Sequence, residues 1–250
     1  MLDNLSEYEN PLLYDQENPD FEPEGPFYLS VAQETGGPIL DLGCGTGRMT
    51  IPIAQAGYEI TGIDIVPGMI ERAKQKAGNL TIDWLVADAR DYHLGQQFRM
   101  IFESGSVFMH MLERTDQRAY LARVREHLAP GGRFVMSLYF PHPSRLQSDS
   151  EEKDWFTYQD EQGRTVRVTG TDVYDEIRQV KTETAYRHVQ NEDGSETRYA
   201  APLPLRYTFP QEMESLLEQA GLRVVDRFGG PDRSPLTSQS DYLVYICEPA

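Results

Sequence analysis

Residues 39–50 read ILDLGCGTGRMT, and within them Gly43, Gly45 and Gly47 stand at alternate positions between an apolar run and a polar turn. Glycine loses more conformational freedom on folding than any other residue. No neighbour in the sequence gives these three a packing role, so they read as a loop cleared for a ligand to approach the main chain. A phosphate-binding turn for a dinucleotide needs Gly-x-Gly-x-x-Gly leading into a helix. The sixth position counted from Gly43 is Arg48, and counted from Gly45 it is Thr50, so that spacing is absent. Carboxylates recur at comparable places: Asp41 in the apolar run, Asp64 in YEITGIDIVPG twenty-one residues after Gly43, and Asp88 in LVADARDY. An acid after a strand can accept hydrogen bonds from both hydroxyls of a ribose. Asp88 also suits a helix cap.

These residues need a scaffold that brings distant segments to one edge. From Pro38, apolar runs of strand length (PILDLG, YEITGID, IDWLVAD, FRMIFES, GRFVMSLYF) alternate with helical stretches (GRMTIPIAQAG, VPGMIERAKQKAG, DQRAYLARVREHLAPG). Such alternation implies right-handed βαβ units and a parallel sheet covered on both faces. Asp41, Asp64 and Asp88 then fall where a parallel sheet gathers its carboxyl ends, which is where such sheets bind ligands. After Phe140 the texture changes to alternating β-branched, aromatic and charged residues with turn signals at DEQG and NEDG, which predicts three or four antiparallel strands with one wet face. The stretch PQEMESLLEQAGLRVVDRF predicts a helix, a glycine stop and a strand, and SDYLVYICEP a last strand entered without a helix. The fold class is therefore α/β: a doubly wound, seven-stranded, mostly parallel sheet with an antiparallel β insertion. The expected divisions are a flap over residues 1–35, a core over 36–140 and 207–250, and the insertion over 141–206.

Charge narrows the partners. The 250 residues carry 40 Asp and Glu against 23 Lys and Arg, a formal charge of −17, and that field repels phosphate backbones and anionic lipid. No nucleic-acid or membrane partner is expected. The first twenty residues show no basic flank and no apolar run of signal length, so a soluble cytoplasmic protein is expected. Two cysteines, Cys44 and Cys247, make neither a disulfide framework nor a metal site, and no metal is expected.

The segment DLGCGTG resembles motif I of the class I S-adenosylmethionine-dependent methyltransferases, in which an acid precedes Gly-x-Gly-x-Gly, and the resemblance runs in order through residues 36–140. It implies a Rossmann-like methyltransferase fold, an enzyme using S-adenosylmethionine, and release of S-adenosylhomocysteine. By similarity the methionine end of the cofactor lies against Asp41, Gly43, Cys44, Gly45 and Gly47. Asp64 takes the ribose, with Ile65 and Met69 beside the adenine. Asp88, Ala89 and Arg90 follow the next strand, and Glu103 and Ser104 the one after. The chain is most similar to small-molecule N-methyltransferases, including those of aminosugars and, more distantly, the glycine N-methyltransferase group. There an LYD segment and a hydrophobic-x-His-Met segment face the acceptor; here these are Leu13-Tyr14-Asp15 and the His110-Met111 of VFMHM. The resemblance thus nominates Tyr14 and His110 as catalytic, with Tyr14 also closing over the cofactor.

The activated methyl of a sulfonium leaves the protein to desolvate, align and take a proton from the acceptor. Strand four lacks an Asn-Pro-Pro-Tyr run for gripping a flipped base, which favours a small molecule, an amine nitrogen first. An oxygen, sulfur or carbon acceptor is the alternative among enzymes of this fold, and a nucleoside-binding module that has lost turnover the alternative from another functional class. A histidine in an apolar turn can also simply fill space. The aromatic residues of the insertion (Trp155, Phe156, Tyr158, Tyr174, Tyr186, Tyr207) suit either an acceptor pocket or strand packing. A monomer or homodimer is expected. Arg99 stands where the family's strand four usually begins with Asp.

Overall fold

The computed structural model describes residues 5–18, 21–160, 162–191 and 193–250. The described strands, in chain order, are β1 (Ile39–Leu42), β2 (Ile60–Asp64), β3 (Asp83–Val86), β4 (Phe98–Glu103), β5 (Leu128–Tyr139), β6 (Asp149–Gln159), β7 (Thr165–Asp175), β8 (Val180–Gln190), β9 (Glu196–Arg206), β10 (Leu222–Phe228) and β11 (Tyr242–Pro249). Seven form one sheet in the order β10-β11-β5-β4-β1-β2-β3, with only β11 antiparallel to its neighbours. The α/β, mostly parallel architecture expected from the alternation is the observed one. Its inner strands β1, β2 and β4 are largely apolar on both faces because both are covered, whereas the edge strand β3 is mostly exposed. Ile39, Met100, Phe102 and Val135 enter one core with Phe27, Val31 and Ile53, while Leu40, Leu42, Ile101 and Phe134 enter another with Tyr120, Leu121 and Met213.

The helices are α1 (Pro11–Glu17), α2 (Glu24–Thr35), α3 (Thr50–Gln55), α4 (Pro67–Ala77), α5 (Arg114–His127) and α6 (Pro210–Gln219). Two differ from expectation. Helix α5 stops at His127 instead of running to Gly131, because Leu128 pairs with Phe98 and starts β5. Helix α2 is no flap: Phe27, Tyr28, Val31 and Ala32 are buried in the second core. Among the described residues of the expected flap, α1 and the 3-10 turn Ser6–Tyr8 lie over the body. Residues 1–4 and 19–20 of the expected flap fall outside the described residues. Arg99 gains a role here, since its Nε donates to the Thr35 carbonyl at the end of α2, 2.7 Å away.

The insertion is a second sheet, fully antiparallel, in the order β6-β7-β8-β9. Glu161 and Glu192, within the two expected turns, lie outside the described residues. Strand alternation gives this sheet two unlike faces. Val168, Ala185, Ala201 and Leu203 look toward the end of the main sheet. On the other side Arg198 lies over the Tyr186 ring at 3.8 Å, and His188 sits between Glu152 and Glu196.

Candidate active site

The carboxyl ends of β1, β2, β3 and β4, the inner face of the second sheet, α1 and the Ser6–Tyr8 turn enclose a cavity of about 810 Å³. Its floor is the glycine loop. Gly43, Gly45 and Gly47 all have positive φ, at 71°, 53° and 84°, a region that strains any residue with a Cβ. Two of them also make room for protein. A Cβ on Gly43 would lie 2.5 Å from Val107, and one on Gly47 2.9 Å from Ile51 and Trp84. Gly43 and Gly45 line the cavity and Gly47 does not, so the third glycine serves packing and backbone geometry. That corrects the expectation that all three were cleared for a ligand. The thiol of Cys44 is likewise turned away: the residue is buried, and a Cβ on Gly62 of β2 would lie 3.0 Å from its Sγ.

The three strand-end acids are brought to one edge but do different things. Asp64 faces the cavity; its two oxygens accept the N–H groups of Gly45 at 2.8 Å and Val66 at 2.9 Å. Burial raises its pKa, and no salt bridge to it exists among the described residues. Asp88 also lines the cavity, and no helix follows it, so the cap reading fails. It closes an Asx turn on the Arg90 N–H and pairs with the Arg90 guanidinium at 2.6 Å, which reaches Asp116 at 3.0 Å. Burial would raise the Asp88 pKa, but the Arg90 hydrogen bonds outweigh it and hold the carboxyl low. Arg90 itself is outside the cavity wall. Asp41 lies beneath the loop: Oδ2 accepts from Thr50 at 2.6 Å, and buried Oδ1 has no partner among the described residues. Burial pushes its pKa up to about 7.

Glu103 departs furthest from its expected place. It is fully buried, with Oε2 accepting the Phe108 N–H at 3.2 Å and Oε1 the Ser137 N–H at 3.0 Å. Burial pushes it up to about 8. Its carboxyl therefore fixes the 3-10 turn Val107–His110 against β5 and does not reach the cavity, whereas Ser104 lies on the wall. Ile65, Met69 and Ala89 line the same end.

Tyr14 and His110, far apart in sequence, both face the cavity. The Tyr14 ring lies over Gly45, 3.6–3.8 Å from where a Cβ would sit, and its hydroxyl bonds Arg48, which pairs with Glu24 at 3.0 Å. Asp15, next in the LYD segment, is the anchor of α1, with Thr46 at 2.6 Å, Lys76 at 2.6 Å and Arg72 at 2.8 Å. Burial lowers the His110 pKa to about 4, and the Tyr8 hydroxyl lies 3.1 Å from its Nε2. Tyr8 was visible only as one aromatic among several in an acidic segment. Arg187 of β8 was not visible at all, yet it holds Glu7 at 2.5 Å and Glu17 at 2.9 Å against the inner face of the second sheet. Trp155 and Phe156 reach the cavity; Tyr207 is core and Tyr186 faces outward.

The family described as a methyltransferase domain matches residues 39–132, from the start of β1 through the turn before the body of β5. Residues 39–132 thus resemble a methyltransferase domain. The S-adenosylmethionine-dependent family suggested by the glycine and acid motifs is the one found. The chain is 39% identical over 89 residues to the malonyl-acyl-carrier-protein O-methyltransferase of Anoxybacillus flavithermus, covering 35% of this chain and 34% of that protein. It is 25% identical to the glycine/sarcosine N-methyltransferase of Parasynechococcus marenigrum over 91% of this chain and 77% of the relative. The CcbJ methyltransferase from Streptomyces caelestis shares the fold with a TM-score of 0.79 at 24% identity, covering 99% of each chain. The chain spans about a third of the length of the first of these relatives and about half that of other curated methyltransferases it matches.

The methyltransferase domain's residues fit the family's cofactor, S-adenosylmethionine, on charge as well as space. Asp41, buried beneath the loop, and Asp64, on the cavity wall, form no salt bridge among the described residues, and a sulfonium or ammonium group adds positive charge beside them. Among the described residues no group of three or more His, Cys, Asp or Glu could hold a metal ion, and no helix is long and apolar enough to cross a membrane.

Proposed function

We propose that the protein transfers the methyl group of S-adenosylmethionine to the nitrogen of a small-molecule amine. The observation that carries this reading is the charge of the acceptor end of the cavity, where Glu7 and Glu17 share the single guanidinium of Arg187 and leave one carboxylate charge in excess. A wall of that sign attracts an ammonium and repels an anionic acceptor. The similarity to a glycine/sarcosine N-methyltransferase, over 91% of this chain and 77% of that protein, supports a nitrogen acceptor. In this reading residues 36–140 and 207–250 form the catalytic core and the insertion over 141–206 covers the acceptor side. Gly43, Gly45, Asp64, Ile65, Met69, Asp88, Ala89 and Ser104 hold the cofactor, with Asp41, Cys44, Gly47, Arg90 and Glu103 shaping that edge from behind.

S-adenosylmethionine brings a methyl group already activated on sulfur, so the side chains have to position, dry and deprotonate. Tyr14 covers the glycine loop and excludes water from it. An amine is mostly protonated near neutral pH and must lose a proton to expose its lone pair. With the His110 imidazole neutral and its proton on Nδ1, the Tyr8 hydroxyl donates to Nε2 and keeps lone pairs free to accept the amine's N–H. This hydrogen-bond relay orients the amine while its proton leaves to water, because burial makes His110 too weak a base to hold it. His110→Ala and Tyr8→Phe are each expected to slow single-turnover methylation about tenfold, below the usual range for acid–base groups because water can take the proton. Acting as one relay, the double variant should be no slower than either single variant. Multiplying effects would show that the two residues act separately. Because burial holds His110 near 4, its substitution should leave the pH–rate profile between pH 6 and 9 in place. A panel of amines, phenols and thiols assayed for release of S-adenosylhomocysteine tests the acceptor atom. Turnover of phenols or thiols alone overturns the nitrogen assignment, and cofactor binding without turnover of any overturns the enzymatic one.

A further inference from the structure

Strand β6 carries two neighbouring aromatics that strand alternation would send to opposite faces. They stay together because the ladder slips between them: Asp154 pairs with Thr169 and Phe156 with Val168, which leaves Trp155 as the extra residue of a β-bulge. Both then face the cavity, half-exposed at 42% and 47%. A glycine on the adjacent strand is fitted to one of them. A Cβ on Gly170 would lie 1.9 Å from the Trp155 indole, and Gly170 does not have a positive φ. The missing side chain therefore has a steric cause, an indole lying flat on β7. Phe156 also walls a second recess of about 410 Å³ with Gln16 and Glu17 of α1.

We propose that Trp155 and Phe156 form a shelf for the non-reacting body of the methyl acceptor, which is an amine carried on an apolar ring rather than one of glycine size. The proposal rests on the amine reading above and adds the acceptor's shape. Two large aromatic faces left half in water at a cavity mouth gain most from a flat apolar partner. Their neighbour on the same wall is the carboxylate-rich Glu7, Glu17 and Arg187 cluster, so a ring on the shelf leaves its ammonium beside an anionic surface and the Tyr8–His110 pair.

The test uses the full chain saturated with S-adenosylhomocysteine and titrated with methylamine, benzylamine and benzyl alcohol, followed by calorimetry and tryptophan emission. The chain has two tryptophans, Trp84 under the glycine loop and Trp155, so the difference spectrum against Trp155→Phe isolates the shelf. Benzylamine should bind about tenfold more tightly than methylamine and than benzyl alcohol, and should perturb Trp155 emission. Trp155→Ala should bring the benzylamine-to-methylamine ratio below about twofold. Gly170→Ala, which keeps the indole but pushes it off β7, should do the same, and neither should alter S-adenosylhomocysteine affinity. Equal binding of the two amines, or a preference that survives both variants, overturns the shelf. So does a dimer that Trp155→Ala converts to monomer, since the aromatics would then be an interface. Failure of the wild type to bind S-adenosylhomocysteine would instead remove the cofactor reading on which the proposal stands.

Discussion

Asp64→Ala lowers affinity for S-adenosylhomocysteine and S-adenosylmethionine by about 1.5–3 kcal/mol, roughly a tenfold to hundredfold rise in Kd. The size follows from what the carboxylate does twice over. It presents oxygens to the cavity at the end of β2, and it holds the Gly45 N–H at 2.8 Å and the Val66 N–H at 2.9 Å, so it fixes the loop that the ligand meets. Removing it deletes a charged acceptor and frees the loop at once. Asp64→Asn separates these effects, since it keeps the shape and one acceptor oxygen but discards the charge; it should lose about half as much affinity. Calorimetric titration checks both, with thermal melts to show that the variants remain folded. NAD and NADP should not bind, because Gly47 is followed by Arg48 and Met49 rather than the spacing a pyrophosphate turn requires. Unchanged affinity in Asp64→Ala, or tight NAD binding, would remove Asp64 from the ligand site.

Thermal stability of the ligand-free protein should fall by about 3 kcal/mol between pH 6.5 and 9, a drop of roughly 6–12 °C in Tm for a chain of this size. Two buried acids produce it. Burial raises Glu103 to about 8 and Asp41 to about 7 in the folded state, above the ordinary carboxylate range of the unfolded chain. A raised carboxyl pKa contributes stability that is complete below the unfolded value and is lost as pH rises through the folded value. The loss from Glu103 therefore continues up to about pH 8 and fades above it, and that from Asp41 fades above about pH 7. Below pH 6.5 the slope flattens, because His110 is depressed to about 4 and its contribution disappears as pH falls toward that value. Glu103→Gln should remove about two thirds of the slope while lowering Tm at every pH, since one of two backbone donors loses its acceptor. A flat Tm profile from pH 6.5 to 9 in the wild type would mean that the Phe108 and Ser137 N–H groups keep Glu103 charged, and that burial does not govern it.

The central sheet was readable because its inner parallel strands β1, β2, β4 and β5 are largely buried and so appear as apolar runs between glycine stops. The end of α5 was not, since pairing of Leu128 with Phe98 overrides the helical character of HLAPG. Similar limits apply to the site. Asp64 and the loop are neighbours through strand order, and the family motif marks them. Glu103 carries the same position at a strand end as Asp64, but a 3-10 turn with Ser106 at a positive φ of 62° folds back over its carboxyl. Nothing in the run FESGSVFMH distinguishes an acid that faces a ligand from one that ties a turn. Tyr8 meets His110 across 102 residues, and Arg187 meets Glu7 across 180, so neither leaves a local pattern. Gly47 was misread in part for the same reason: besides the nearby Ile51, the residue that needs its missing side chain is Trp84, on another strand.

Helix α1 is held by ion pairs of opposite character at Asp15 and Glu17. Asp15 meets Arg72 and Lys76 at the surface, where the two cations are about a third exposed, while Arg187 grips Glu17 from a nearly buried position. Dissolved ions weaken the first kind of contact and hardly touch the second. Raising ionic strength therefore does not detach the helix; it loosens one end, and α1 swings about Arg187 with Tyr14 moving away from Gly45. Stopped-flow release of S-adenosylhomocysteine should accelerate with salt, and lose that acceleration in Asp15→Asn. A turnover limited by such release would run faster in brine than in dilute buffer, although every chemical contact in the cavity had stayed the same.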